Sequence, residues 1–110
     1  MSIFGKWEQS IKDRNADGMI ELLHEDYTFV RHQTGTTMNK SETSEMYRGF
    51  LSSEGITTKE HRCVYENDDV LVEHSLIDFA DGSTESILAC HTLKDGLIIR
   101  TETGATLIKK

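Results

Sequence analysis

The sequence has no long apolar run. A helix that crosses a membrane needs about 18 to 20 consecutive apolar residues, and no stretch of the 110 residues comes near that length. The opening segment, Met1-Ser2-Ile3-Phe4-Gly5-Lys6-Trp7, also lacks the apolar core of a secretory signal peptide. These absences predict a cytoplasmic protein that does not enter a membrane.

Basic residues are few, and they form no stripe. The 12 lysines and arginines are outnumbered by 19 aspartates and glutamates, which leaves a formal net charge of -7. A surface of this sign repels nucleic-acid phosphates and anionic lipid headgroups. We therefore expect no nucleic acid and no membrane surface among the partners.

Cysteine spacing and cofactor motifs are lacking as well. Cys63 and Cys90 stand alone in strand-like segments, without the close spacing of a disulfide framework or a zinc site, which favours two buried thiols. No His-Glu-x-x-His sequence, serine nucleophile elbow, phosphate-binding glycine loop or dinucleotide fingerprint occurs. We expect neither a metal nor a cofactor.

Apolar residues do recur at helical spacing in three segments. The first predicted helix covers about residues 3–14, and a short second helix covers residues 19–23. In the third segment, Asn39 and Glu42 have the spacing of a capping box, and the apolar stripe that follows ends before Gly55. The first half of the chain is thus expected to supply three helices.

The period of the pattern changes to two in the second half. One strand is predicted earlier, from Tyr27 to His32, with a bend near Gly35. Four more are predicted as an antiparallel meander with short turns: Thr57–Glu66, Val70–Phe79, Thr84–Leu93 and Leu97–Ile108. The chain is expected to form one α+β domain over residues 1–110.

Three local segments agree with a known family. They are Asn15-Ala16-Asp17-Gly18, Leu22-Leu23-His24-Glu25-Asp26-Tyr27 and Lys94-Asp95-Gly96-Leu97-Ile98. With this order of elements, the chain resembles the nuclear transport factor 2-like superfamily, specifically its short SnoaL-like members. The resemblance implies a cone-shaped (cystatin-like) curved antiparallel sheet, covered by three N-terminal helices around a pocket, and commonly a homodimer.

The superfamily includes ketosteroid isomerase, polyketide cyclases, dehydratases, hydrolases and domains that only bind, so fold alone does not decide function. In the isomerase branch, the general base falls near Arg31 or His32 of this chain, and neither is a carboxylate. The acid of the oxyanion hole falls at Ala89, which transfers no proton. Both departures argue against ketosteroid isomerase activity, although His32 could act as a base if a bulge turned it inward.

The strand Thr84–Leu93 has one face that is more apolar than the other, and it carries Ile87, Ala89, His91 and Leu93. His91 is therefore the first pocket candidate. A three-residue turn at Lys94-Asp95-Gly96 would place Ile99 opposite His91 and Thr101 opposite Ala89, with Thr103 also inward.

Two alternatives of register stay open at this point. A two-residue turn at Asp95-Gly96 would bring Arg100 and Glu102 to the pocket face instead. In the preceding hairpin, a two-residue turn at Asp81-Gly82 would place His74 opposite Ala89, on the face of His91. A three-residue turn that includes Ala80 would remove His74 from that face.

Two functions are compatible with these residues. The first is binding of a small, partly apolar ligand, with lyase or isomerase chemistry as an option. Its predicted catalytic candidates are His91, His32 and His74, and its predicted ligand-binding residues are Trp7, Tyr27, Arg31, Tyr47, Ala89 and Thr101. His24 and His61 rank lower because they sit at element edges. The second function is a non-catalytic homodimer built on the outer sheet face, around Cys90, Thr92, Arg100 and Glu102.

Overall fold

The computed structural model describes residues 2–108. Three helices and six strands follow one another along the chain: α1 Ile3–Lys12, α2 Ala16–Ile20, β1 Leu23–Arg31, β2 Thr36–Asn39, α3 Lys40–Ser52, β3 Thr57–Glu66, β4 Val70–Asp78, β5 Thr84–Lys94 and β6 Leu97–Leu107. Within residues 2–108, no helix has the length and apolar character needed to cross a membrane.

The six strands form one sheet in the order β2-β1-β6-β5-β4-β3. It curves around the helices, which confirms the predicted α+β class. Neighbouring strands are antiparallel except β1 and β6, which run parallel. The sheet is thus mixed, because the chain between β1 and β6 is long enough to return in the same direction.

The caps of the longer helices explain where those helices begin. The Ser2 hydroxyl accepts a hydrogen bond from the Gly5 amide at 3.0 Å in front of α1. In front of α3, Asn39 and Glu42 exchange side chain to backbone bonds of 2.9 and 3.0 Å, which confirms the predicted capping box. Both helices bury aromatic residues against the sheet, Trp7 from α1 and Tyr47 from α3.

The segment between α1 and α3 differs from its prediction in two details. Helix α2 stops at Ile20, before Leu23 pairs with Ile98 in the β1–β6 ladder. The predicted bend near Gly35 is a full reversal of the chain. Gly35 has a φ of 68°, which glycine adopts without strain, and it turns β1 back into the antiparallel strand β2.

The β4–β5 hairpin has the three-residue turn. The Phe79 amide donates to the Ser83 carbonyl at 2.9 Å, so Ala80, Asp81 and Gly82 form the loop. In this register His74 pairs with Leu88 and lies on the outer face of the sheet. The alternative that placed His74 beside His91 is therefore wrong.

The β5–β6 hairpin begins in the register of the two-residue turn and then departs from both predicted registers. Its turn has two residues, Asp95 and Gly96, with φ of 55° and 76°, as in a type I′ turn. A bulge at Ile99 follows, and beyond it His91 pairs with Thr101 and Ala89 with Thr103. The predicted pairs of His91 with Ile99 and of Ala89 with Thr101 are therefore wrong. The bulge restores the inward direction of Thr101, so Arg100 and Glu102 do not reach the pocket face.

Both thiols differ from their prediction. Cys63 and Cys90 are exposed rather than buried. The exposure of Cys90 follows from strand alternation, because its neighbours Ala89 and His91 point inward. Cys63 lies on β3, one of the two edge strands of the sheet.

Candidate functional site

A cavity of about 190 Å³ lies between the helices and the inner face of the sheet. Most of its wall is apolar, and all three helices and five strands, β1 and β3 to β6, contribute to it. The wall includes Trp7, Phe29, Tyr47, Phe50, Ile77 and Ile87. Pockets that bind small molecules commonly have walls of this kind.

A single buried carboxylate interrupts this wall. Every second residue of β4 points inward, and the row is Leu71, Glu73, Ser75 and Ile77. Glu73 is 6% exposed and accepts hydrogen bonds from two imidazoles. His61 Nε2 donates to its Oε1 at 2.5 Å, and His91 Nε2 donates to its Oε2. Because a carboxylate has about four acceptor positions, the two histidines occupy only about half of them.

His91 is fixed on all sides. Its Nδ1 lies 2.7 Å from the Thr101 hydroxyl, its Nε2 contacts Glu73, and the Trp7 ring packs edge-on at 5.4 Å. Only 1% of the residue is exposed. With both ring nitrogens occupied, His91 orients Glu73 and has no free nitrogen for a ligand.

His61 reaches the site through an irregularity in β3. The β3–β4 register shifts between Lys59 and Arg62, and Glu60 takes a left-handed φ of 50°. The shift directs the His61 ring inward, where it packs 4.9 Å from the Phe4 ring. Its Nδ1 lies 3.9 Å from Glu8 Oε2. His61 thus contacts both α1 and the buried carboxylate of the cavity wall.

Burial alone would raise the pKa of Glu73. The hydrogen bonds from His61 and His91, together with electrostatic attraction to the two rings, outweigh burial and lower this pKa to about 2. Glu73 is therefore ionised at neutral pH and acts as an acceptor.

Two tyrosines beside the carboxylate stay neutral. Burial, followed by the nearby charge of Glu73, raises the pKa of Tyr27 to about 12, although the Thr101 and Tyr47 hydroxyls lower it in part. The pKa of Tyr47 is also raised, first by burial. In the described chain, the Tyr27 hydroxyl is buried without a hydrogen bond of normal geometry. Both phenols therefore keep their protons at neutral pH.

The opening of the cavity is polar and exposed. Arg31 and Gln33 line it from the end of β1 and the turn that follows, and Glu85 lines it from β5. Gln33 Nε2 donates to Glu85 Oε2 at 3.2 Å across the opening. A ligand would pass these groups before it meets Glu73.

Most of the predicted site residues gather at this cavity. It is lined by Trp7, Arg31, Tyr47, Ala89, His91 and Thr101, and Tyr27 lies beside it with its hydroxyl near Thr101 and Tyr47. Their roles toward a ligand stay predictions.

The structure places the other two histidine candidates outside the cavity. His32 lies in the exposed turn after β1, 3.0 Å from Glu102 on the outer face, because no bulge turns it inward. His74 lies 2.7 Å from the Ser86 hydroxyl and 3.3 Å from Arg62 Nε, also outside. Neither reaches a ligand in the cavity.

Two important residues were not among the predicted site residues. Glu73 is detectable in sequence as a lone charge in the alternating β4 row, once the three-residue turn sets the register. His61 ranked low because it was placed at an element edge, and the bulge at Glu60 that directs it inward has no signal in the sequence. Within residues 2–108, no group of three or more histidine, cysteine or acidic side chains is arranged to hold a metal ion.

Comparison with known families agrees with this architecture. A family model described as a SnoaL-like domain matches residues 6–101. The chain belongs to the SnoaL-like domain family. No curated protein matches this SnoaL-like domain at a significant level.

Solved structures with the same fold share little sequence with this SnoaL-like domain. An NTF2-like protein of unknown function from Mesorhizobium loti has a TM-score of 0.79 at 13% identity, over 94% of this chain and 88% of that one. A steroid delta-isomerase from Pseudomonas aeruginosa has a TM-score of 0.74 at 18% identity, over 93% and 75%. An LEH-like epoxide hydrolase from M. tuberculosis has a TM-score of 0.69 at 11% identity, over 93% and 78%.

Proposed function

We propose that this SnoaL-like domain binds a small, partly apolar ligand in its cavity and performs a proton transfer of the isomerase or lyase type on it. The observation that carries the proposal is the buried, ionised Glu73 at one end of an apolar cavity. A charge in such a place is costly unless it is paired, and here two histidines hold it in position.

The dimensions of the cavity restrict the ligand. A cavity of about 150 Å³ accommodates benzene in another protein, so the 190 Å³ available here suits a single ring with one or two substituents. Glu73 accepts a hydrogen bond, and the neutral Tyr47 hydroxyl donates one. A ligand with a hydroxyl or carbonyl group on an apolar ring satisfies both.

The proton transfer follows from the same groups. A Glu73 oxygen takes a proton from the carbon next to a ligand carbonyl, and the electron pair of that bond moves to the carbonyl oxygen. The Tyr47 hydroxyl then stabilises the resulting oxyanion. A carboxylate with a pKa of about 2 is a weak base, so a ligand with an acidified carbon-hydrogen bond suits the site.

The relatives support this class of reaction. One solved structure of the same fold is described as a steroid delta-isomerase and another as an epoxide hydrolase. Ala89 removes the acid that the ketosteroid isomerase comparison would require. Glu73, however, pairs directly with Ala89 across the β4–β5 ladder, so a carboxylate stands one strand away.

Binding is tested with phenol in a nuclear magnetic resonance titration. Phenol should shift the signals of Trp7, Tyr47 and Ala89, and Ala89→Leu should abolish these shifts because the new side chain fills the cavity. Thr92→Leu, which adds a leucine to the outer face of the same strand, should bind phenol as the wild type does. Absence of binding to the wild type would refute the cavity as a ligand site.

The reaction is tested by deuterium exchange in heavy water at the benzylic carbon of phenylacetone, whose carbon-hydrogen bonds are acidified by both the ring and the carbonyl. We expect deuterium exchange to be faster with the wild type than in buffer alone. With Glu73→Gln, the exchange rate should equal the rate in buffer. Glu102→Gln is the matched control on the outer face. Equal rates for wild type and Glu73→Gln would reject Glu73 as the base.

A second proposal, self-association through the outer sheet face, rests on a different observation. Leu88 is 51% exposed at the centre of that face, and its neighbour across the ladder is Gly104, which leaves it uncovered. Burial of such a side chain against a second copy would be favourable. Light scattering should report a homodimer for the wild type and a monomer for Leu88→Glu, and a wild-type monomer would dismiss the idea.

A further inference from the structure

Arg31 differs from every other arginine of the chain. Among the described residues, the other four all donate to oxygen or nitrogen. Arg14 binds three backbone carbonyls, and Arg62 binds His74. Arg48 and Arg100 pair with carboxylates. Among the described residues, Arg31 is thus the one arginine whose guanidinium donates to no oxygen or nitrogen atom.

The surroundings of Arg31 leave its donors unused. Its Nη2 contacts Met46 Sδ at 3.9 Å, and sulfur is a weak acceptor. Within residues 2–108 no carboxylate lies within 4.0 Å of its guanidinium, and it lines the opening of the cavity. A guanidinium presents five donors in a planar fork that matches a carboxylate or phosphate group.

Arg31 shares a row of the sheet with Glu73. Across the ladders, Glu73 pairs with Ala89, Ala89 with Thr103, and Thr103 with Arg31. Three strand spacings of about 4.8 Å separate the outer two by about 14 Å along the sheet. The two residues between them are small, so the space over this row is open to a ligand.

We propose that the ligand of this cavity is an anion, whose carboxylate or similar group is bound by Arg31 while its neutral polar group reaches Glu73. This inference rests on the proposed function and names its substrate class. A ring with a neutral polar group at one end and an anionic group at the other spans the row. The buried Glu73 excludes a second anionic group at the inner end, because like charges repel there.

Glu85 is the charged group that opposes this arrangement. It lines the same opening, and its carboxylate would repel an anionic ligand. Gln33 donates a hydrogen bond of 3.2 Å to the Glu85 carboxylate. Glu85 forms no ion pair with Arg31. Removal of the Glu85 charge should therefore strengthen anion binding at Arg31, which supplies a second, independent variant.

The test compares 4-hydroxybenzoate with 4-hydroxybenzamide, two rings of equal size that differ in charge. By calorimetry or magnetic resonance, the wild type should bind the carboxylate about fivefold more tightly than the amide, as expected for a partly exposed ion pair. Arg31→Gln should abolish this preference through weaker binding of the carboxylate. Arg100→Gln, on the outer face, should retain it.

Two further results complete the test. Glu85→Gln should increase the preference for the carboxylate, and high salt should reduce it. If both compounds bind the wild type equally, the inference is wrong while ligand binding stands. If neither binds, the inference and the proposed function both fail. A preference for the carboxylate that survives in Arg31→Gln also overturns the inference.

Discussion

The sheet carries a histidine–glutamate pair on each of its faces. On the inner face, His91 contacts Glu73, with side chains that are 1% and 8% exposed. On the outer face, His32 lies 3.0 Å from Glu102, with side chains that are 60% and 37% exposed. The residue types are the same, so the difference between the pairs is burial.

Burial changes what each pair does. Water screens the outer pair, and the pKa of Glu102 is lowered by the hydrogen bonds from His32 and Arg100 without a strong shift. On the inner face, the histidines hold Glu73 ionised with a pKa of about 2 against the cost of burial. The inner pair is therefore the one whose loss should affect both the fold and the site.

The largest expected effect is that of Glu73→Ala. Removal of one partner from a buried pair leaves the other unsatisfied and typically costs about 3 to 5 kcal/mol. Urea denaturation should show a loss of this size in the free energy of unfolding. Glu73→Gln, which keeps the volume and one acceptor oxygen, should lose less.

Glu102→Ala is the matched control for this measurement, because it removes the same side chain from the outer pair. The free energy of unfolding of Glu102→Ala should stay close to that of the wild type. Equal losses for the two alanine variants would show that burial does not distinguish the pairs.

The next effect is on the pH dependence of stability. The pKa of Glu73 is lowered from 4.5 to about 2 in the folded protein, so its contribution is complete above about pH 4.5 and is lost as the pH falls toward 2. A shift of this size corresponds to about 3 kcal/mol. The difference in unfolding free energy between wild type and Glu73→Gln should shrink over this window. A difference that stays constant from pH 6 to pH 3 would contradict the assigned ionisation.

A smaller effect is expected at Thr101. Thr101→Val keeps the shape of the side chain but removes the hydroxyl that lies 2.7 Å from His91 Nδ1. A buried group left without its partner costs about 1 to 3 kcal/mol. Thr103→Val is the control, since Thr103 lines the same cavity two residues further along the strand. A similar loss in both variants would indicate a general packing effect rather than the bond to His91.

The inner face could be predicted from sequence to the extent that alternation determines it. The apolar row of β5 placed Ala89 and His91 inward, and the capping box at Asn39 placed α3. Both depend on residues that are close in sequence, whose side-chain directions follow from the local period. The parallel pairing of β1 with β6 depends on distant parts of the chain and has no such signal.

The polar part of the site depended on details that alternation does not determine. Glu73 faces His91 only in the register of a three-residue turn, and a slip of one residue would have brought His74 there instead. Thr101 reaches His91 because a bulge corrects the short turn at Asp95 and Gly96. Turn lengths and bulges of this kind are determined by packing of the whole sheet. The local sequence pattern therefore indicates the pocket but not its carboxylate.

The smallest expected effect concerns the outer pair. Glu102→Gln removes the charge that His32 and Arg100 share while it keeps a hydrogen-bond acceptor on the surface. Because water already solvates these groups, the free energy of unfolding and the phenol affinity should both equal those of the wild type within error. Urea denaturation and phenol titration of this variant check the expectation at low and at high salt. A clear loss at low salt that disappears at high salt would mean that the outer pair also stabilises the sheet, and burial would then not be what separates the two pairs.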